Sequence, residues 1–465
     1  MMAEDQDTQK YHHHTDANKI KAYIGLLYYS GMWKQSSVHY ERLWDRSNGT
    51  TTYRCTMPKA RFMFLSSSLR FDDKTTRSAT DKFGPIRAVW DIFIRNCQRY
   101  YKLHNNCTVD EQLLGFRDRC SFRMYIKSKP DKYGLNIVSL NDACTSYMYN
   151  AIPYLGKTST PPNESVSEYF LREVTAPIHG TNRNVTCDNW FTSVPITRQL
   201  LEPYRLCITG TIRKNKREIP QAMKIAEREP PASKYCYDDN LTLVSYTPKK
   251  NKVVLLLTSY LHGNNKETDG KPDIVHFYNK NKGGTDCFDM LCHSFTVSRR
   301  TNRWPMQIFF GILDQAAVNA RILLKCKNSV REDTSKVTAE SCLNQIYLHL
   351  VKAHLQERYT IPTIRKDIKC GIANILHLQD RPAFGGDAQN WIGKKDVKFA
   401  REELIKRRAP CVPLAFNRCA TSIAHIYALN VPIWDQIKKC NFFIYLKYVI
   451  CNVNIFFSYF LNHFS

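Results

Sequence analysis

A change of hydrophobic period near residue 106 limits what this chain can fold into. Before it, Ile20, Tyr23, Ile24, Leu27 and Tyr28 recur at i, i+3, i+4, i+7 and i+8. Asp16 is placed to cap this helix and Gly31 to end it. The stretches around Phe62, Leu65 and Leu69 and around Val89, Ile92, Phe93 and Tyr100 repeat the pattern, so residues 1–105 are expected to be helical. After it come short strand-like runs, NIVSL (136–140), SYMYNAI (146–152), NVTC (184–187) and YRLCITGTI (204–212), each bounded by Gly, Pro, Asn or Asp. The helix-like SVPITRQLLE (193–202) sits between two of them, and strands alternating with a helix predict a mixed α/β sheet.

Residues 213–252 break the texture with ten Lys/Arg, five Asp/Glu and four prolines. Because VVLLLTSY (253–260) and DIVHFYN (273–279) read as strands resuming the sheet, the interruption is expected to be an insertion inside one domain. From Pro305 a long helix is predicted, with Phe309, Ile312, Ala316, Ala320 and Leu323 on one face, and another near Leu343, Ile346, Tyr347 and Leu350. Residues 441–465 turn apolar. Lys447 and four asparagines interrupt them, so a translated extension is the preferred reading over a membrane tail or a packed strand pair.

The 67 Lys and Arg exceed the 42 Asp and Glu by 25, a surplus that for a chain of this size points to nucleic acid as the polyanionic partner. Seventeen cysteines, an odd number scattered through apolar segments, read as free thiols of a reducing compartment. The polar start, with neither an apolar core nor a small-residue cleavage site, predicts a cytosolic or nuclear protein. His12, His13 and His14 read as solvated chain rather than metal ligands.

An enzyme that cuts phosphodiesters needs carboxylates from separate elements to hold divalent ions. Asp110 in TVDEQ follows a possible short strand, Asp188 closes NVTC, and Asp286 and Asp289 follow a double glycine three residues apart. Taken singly, each is better explained as a helix cap or turn former.

The blocks TVDEQLLGFRDRCSFRMYIKSKPDKYG (108–134), NVTCDNWFTSVPITRQLLE (184–202), TGTIRKNKREIP (209–220) and FYNKNKGGTDCFDMLCHSFTVSRRTNRWP (277–305) resemble the piggyBac transposase family, in its order and at its distances, within a match from about residue 16 to 365. The resemblance implies an RNase H-like mixed sheet with an internal insertion domain, flanked by helical DNA-binding and dimerisation regions. It divides the chain into 1–105, a catalytic domain 106–293 with its insertion at about 213–252, a helical region 294–365 and a tail 366–465. Asp110, Asp188 and Asp286 become the catalytic residues, holding two Mg²⁺ (or Mn²⁺) ions with Asp289 as an additional acidic position. The implied reaction is metal-dependent cleavage and strand transfer of double-stranded DNA, at transposon ends and TTAA targets, by a nuclear homodimer with no membrane attachment.

Basic residues then acquire expected roles. Arg117, Arg119, Arg123, Lys127, Lys129 and Lys132 flank Asp110 and are expected to track the DNA backbone; Arg299, Arg300 and Arg303 are expected to contact DNA near Trp304. For Trp304 itself, stacking on a distorted base and packing on the core are equal expectations. Three departures stand out. The family usually carries an acidic, polar extension before its first helix, and this sequence begins almost at that helix. Asp118 replaces the family's usual Gly, where a side chain and a negative charge are expected to strain a turn or disturb DNA approach. Cys411, Cys419, Cys440 and Cys451 lack the close pairs of a zinc module, so zinc is not expected and end recognition is impaired. The alternative to an enzyme is a catalytically idle, decaying or recruited DNA-binding protein.

Overall fold

A computed structural model describes residues 15–127, 129–156, 164–265, 269–330 and 337–378. The His12–His14 run, the late cysteines and the apolar end lie outside these residues. The chain divides into two units. No helix among the described residues is long and apolar enough to cross a membrane, and the thirteen cysteines described are free.

One unit comprises the described residues up to Arg70, Phe295–Arg300 and those from Leu324 on. Its helices are α1 (Ala17–Met32), α2 (Tyr40–Trp44), α3 (Thr51–Thr56) and α4 (Lys59–Ser68), joined late in the chain by α11 (Ala339–Tyr359) and α12 (Lys366–Leu376). Asp16 caps α1 by accepting from the Lys19 amide at 2.8 Å, as its position predicts. Gly25 lets α1 and α11 approach, since a Cβ there would lie 2.7 Å from Val351 Cγ1. Tyr29, Tyr53, Trp44 and Phe62 close the core with ring-to-ring contacts.

Arg299 departs from the expectation of DNA contact. It is 7% exposed, its guanidinium donates to the carbonyls of Gln35 and Val38 and lies 4.4 Å from the Tyr40 ring centroid. A cation paired with carbonyls and stacked on an aromatic ring is a packing element. Arg299→Ala strips the carbonyls of their donor, so a loss of about 2 kcal/mol is expected. Urea unfolding measures it; an unchanged midpoint would return Arg299 to the surface.

The other unit holds Phe71–Ser294 and Thr301–Leu323. It contains α5 (Arg87–Arg99), so the expected boundary at residue 105 falls inside a unit: α5 packs on β4, and Tyr147 Oη donates to the Cys97 carbonyl at 2.9 Å. The strands are β1 (Asn106–Gly115), β2 (Met124–Tyr125), β3 (Tyr133–Asp142), β4 (Met148–Pro153), β5 (Asn184–Cys187), β6 (Cys207–Thr211), β7 (Ala232–Asp238), β8 (Leu241–Lys249) and β9 (Lys252–Thr258). They form one sheet in the order β2-β3-β1-β5-β6-β9-β8-β7, with β4 also on β3; β1, β5 and β6 are parallel neighbours and the other pairs antiparallel. The helices are α6 (Val166–Thr175), α7 (Val194–Leu201), α8 (Asp273–Asn281), α9 (Gly284–Ser294) and α10 (Trp304–Val330), the last belonging to this unit as far as Leu323.

Two expectations change here. Residues 232–249 supply β7 and β8, so the 213–252 segment lengthens the sheet at one edge instead of interrupting it. DIVHFYN is the helix α8: its apolar residues do not alternate, and Ile274 and Val275 pack with Val244, Tyr246 and Leu256.

The two faces of the sheet centre differ in chemistry. On one, Val109, Val138, Leu140, Val185, Cys187 and Ile208 meet α6 and α7 in a continuous apolar core. On the other, strand register lines up Asn141, Thr108, Thr186, Thr209, Thr258 and Thr242, all at most 1% exposed. Their hydroxyls are paired: Thr209 Oγ1 lies 2.8 Å from Asn184 Oδ1 and 2.9 Å from Thr258 Oγ1, while Thr108 Oγ1 donates to the Asn281 carbonyl at 2.6 Å.

Candidate active site

The site begins with a register. Thr108 pairs with Thr186 and Val109 with Cys187 in the parallel β1–β5 ladder, so the next residues, Asp110 and Asp188, emerge side by side where β5 ends. Neighbouring strands run about 4.8 Å apart. Asp110 lies within a ten-residue strand rather than after a short one. Its side chain shares the Thr108 face, two residues on.

Helix α9 brings the third carboxylate to this face. Gly284 sits at its first position, where a Cβ would lie 2.8 Å from Thr108 Oγ1 and 3.1 Å from the Asp142 carbonyl. Its missing side chain seats the helix on β1 and β3, and Asp286 follows in the first turn.

The charges then interact. Burial, with the negative charges of Asp286 and Asp188 adding to it, pushes the Asp110 carboxyl up to about 6. Glu111 rises to about 7, first through burial and then through Asp110 and Asp188. Lys129 opposes both shifts; its Nζ donates to the Glu111 carbonyl at 2.8 Å, beyond the last β1–β5 pair.

Asp289 is occupied differently from Asp286. Its Oδ1 accepts from Gln112 Nε2 at 2.9 Å and lies 3.4 Å from His293 Nδ1. Gln112 in turn accepts from Gln315 Nε2 at 2.7 Å, so this carboxylate ties α9 to β1 and α10.

Of the expected DNA contacts, Arg117, Arg119, Arg123, Lys127 and Lys132 are exposed on the β1–β2–β3 segment, and Arg300 is exposed in the helical unit. Lys129 is half-buried beside the carboxylates. Arg303 is half-buried and Trp304 packs on the sheet unit, its ring centroid 5.9 Å from Phe83 and 5.0 Å from Phe122. Asp118 does not strain its turn: among the described residues of this segment Lys132 is the one with positive φ, while Asp118 accepts from the Arg119 amide at 2.7 Å.

Three neighbours of the carboxylates were not expected. Glu111 was not singled out in the sequence. Ser139 faces Asp110 across the β1–β3 ladder, fully buried, with no hydrogen-bond partner for its hydroxyl. Tyr278 of α8 is pushed up to about 12 by burial, then by Cys187, Asp188 and Asp110. Gly284, the second of the double glycine and the one whose missing side chain lets α9 sit on β1, was the available signal for this close approach.

Residues 2–321 match the family model described as Transposase IS4. A piggyBac transposase, solved as a synaptic complex with hairpin DNA, matches with a TM-score of 0.76 at 37% identity, over 86% of this chain and 84% of that one. The chain belongs to the piggyBac transposase family, within the IS4-type transposases. The sheet is accordingly the RNase H-like sheet of a piggyBac-family transposase, with β4-β3-β1-β5-β6 as its contiguous centre.

A raised carboxyl pKa carries a sign. The folded state holds the Asp110 and Glu111 protons more tightly than the unfolded chain does, so folding stability falls as pH rises from about 4 through about 7 and levels off beyond. A divalent cation bound beside these carboxylates would offset the repulsion. The melting temperature of metal-free protein is therefore expected to fall across this interval, and Mn²⁺ to raise it more at pH 7.5 than at pH 5. Equal Mn²⁺ shifts at both pH values, read by calorimetry, would contradict it.

Proposed function

We propose that this piggyBac-family chain is an active DNA transposase, cutting and joining double-stranded DNA at a site formed by Asp110, Asp188 and Asp286. The observation that carries the reading is the placement of Asp110 and Asp188 side by side at the end of a parallel ladder, electrostatically coupled to Asp286. Its partners are transposon ends and a TTAA target, and it works as a homodimer in the nucleus. The relative's capture as a synaptic complex with hairpin DNA supports the DNA partner and the pairing of subunits.

The donor set suits a hard divalent ion. It offers carboxylate oxygens from separate elements, and their mutual repulsion is relieved by added positive charge. Among the described residues no group of three or more His, Cys, Asp or Glu already stands placed to hold a metal ion, so an ion would have to draw the three aspartates together. Asp110, Asp188 and Asp286 would hold one or two Mg²⁺ or Mn²⁺ ions. Such ions, when bound, activate the attacking oxygen and stabilise the leaving one. Asp289, engaged with Gln112, keeps α9 docked on β1. Lys129 holds the β1 backbone beside Asp110, and the exposed cations of residues 117–132 hold the phosphate backbone.

The test is incubation of nicked and hairpin-ended duplexes with the protein and Mn²⁺, followed by strand analysis. Metal-dependent appearance of a free 3′-hydroxyl supports the enzyme. A second reading, an idle DNA-binding descendant, is favoured by the wide spacing of Cys411, Cys419, Cys440 and Cys451; binding without cleavage of any substrate would establish it.

A further inference from the structure

Eight large apolar or aromatic side chains are exposed among the described residues, and two of them touch: Tyr125, 54% exposed, and Tyr133, 42% exposed. They are directly paired across the β2–β3 ladder, so both rings stand on one face, with centroids 4.9 Å apart and planes tilted by 50°. The strand pair thus leaves two half-exposed aromatic rings in water at one spot.

The surroundings say what covers them. The Arg123 guanidinium lies 5.3 Å from the Tyr133 ring centroid and is itself held, donating to the carbonyls of Arg117 and Asp118. The pair is thus braced from one side by a fixed cation. Arg117, Arg119, Arg123, Lys127 and Lys132, which flank the pair in sequence, are all exposed, against the two acids Asp118 and Asp131. Rigid aromatic faces set among cations match a polyanion that carries its own flat rings.

Position adds the rest. Gly134 pairs with Gly115, five residues along β1 from Asp110. At about 3.4 Å per residue the tyrosines stand roughly 17–20 Å from Asp110, a span of about six nucleotides along a stacked strand.

We propose that Tyr125 and Tyr133 form a stacking platform for an unpaired base of the DNA, about six nucleotides from the phosphate that Asp110 serves. The inference rests on the DNA-cleaving reading and goes beyond it, by assigning a base-contacting site outside the carboxylate cluster. Bases stacked inside a duplex have no free face to offer, so the platform discriminates for DNA that is already opened or easily opened.

The full chain is titrated, without divalent ions, against a 30-base-pair duplex and against the same duplex with one unpaired 2-aminopurine placed two to ten nucleotides from a 3′ end. Binding is read by anisotropy and stacking by quenching of the 2-aminopurine. Wild type is expected to bind the unpaired duplex about tenfold tighter, with quenching greatest near position six. The Tyr125→Ala/Tyr133→Ala variant should lose that preference and the quenching while keeping its affinity for paired duplex within about twofold. Tyr125→Phe/Tyr133→Phe should retain both, since the ring and not the hydroxyl is used. Equal affinity of wild type for the two duplexes, or quenching that survives the alanine variant, overturns the platform alone. Failure to bind either duplex overturns the DNA reading and the platform together. Should the double alanine variant unfold, single Tyr125→Ala and the wild-type comparison decide by the same criteria.

Discussion

Replacing Asp110, Asp188 or Asp286 with Asn is expected to reduce DNA cleavage by about 10³-fold or more while leaving DNA affinity unchanged. The amide keeps the shape of the carboxyl but removes the charge that holds the ion. The three effects should not add, because each residue serves one unit. Asp289→Asn should behave differently. Its carboxylate is engaged with Gln112 and faces His293, so the loss should be milder and accompanied by a lower melting temperature. Strand-cleavage gels with Mn²⁺, beside anisotropy with the same DNA, separate chemistry from binding. Undiminished cleavage by any one of the three Asn variants would remove that residue from the site.

Affinity for duplex DNA is expected to collapse with salt, by about 10³–10⁵ between 50 and 200 mM if six to ten phosphates are neutralised. The surplus of 25 positive charges supplies the motive. Arg117→Ala and Lys127→Ala should each reduce the log–log salt slope by about one, since both side chains are exposed. Arg299→Ala should leave the slope unchanged, because its guanidinium is spent on protein carbonyls. A flat titration across this range would dissociate the charge surplus from nucleic acid.

How much of this was legible in the sequence depends on the range of the forces involved. The first helix was readable from Asp16 and its apolar period because capping and periodicity are local. β5 was readable from NVTC, flanked by polar residues, and the observed strand has the same bounds. DIVHFYN misled because a short segment with four apolar residues, Ile274, Val275, Phe277 and Tyr278, suits either a strand or one buried helical face, and only packing on β8 and β9 decides. The aspartates could be named through the family resemblance, yet their adjacency depends on a β1–β5 register joining residues 78 apart, which no local pattern encodes. Arg299 was misjudged for a related reason. Its text, SRRTNRWP, looks like a solvated basic run, and the carbonyls that capture it come from residues 35–38.

The threonine row beneath the carboxylates has a consequence for how faithfully the chain assembles. Sliding β1 or β5 by one residue would exchange the two faces of that strand, pushing hydroxyls into the apolar layer and valine or cysteine under α8 and α9. The same slip would turn Asp110 or Asp188 away from its partners and into hydrocarbon. Misalignment of the chemistry and misfolding of the sheet are therefore one event, with the fold acting as proofreader for the site. Lineages of this architecture can lose an aspartate by substitution and still fold, but they cannot displace one along its strand. Inactivation should be written in such descendants as a changed letter at position 110, 188 or 286, on a sheet whose row of hydroxyls is still in line.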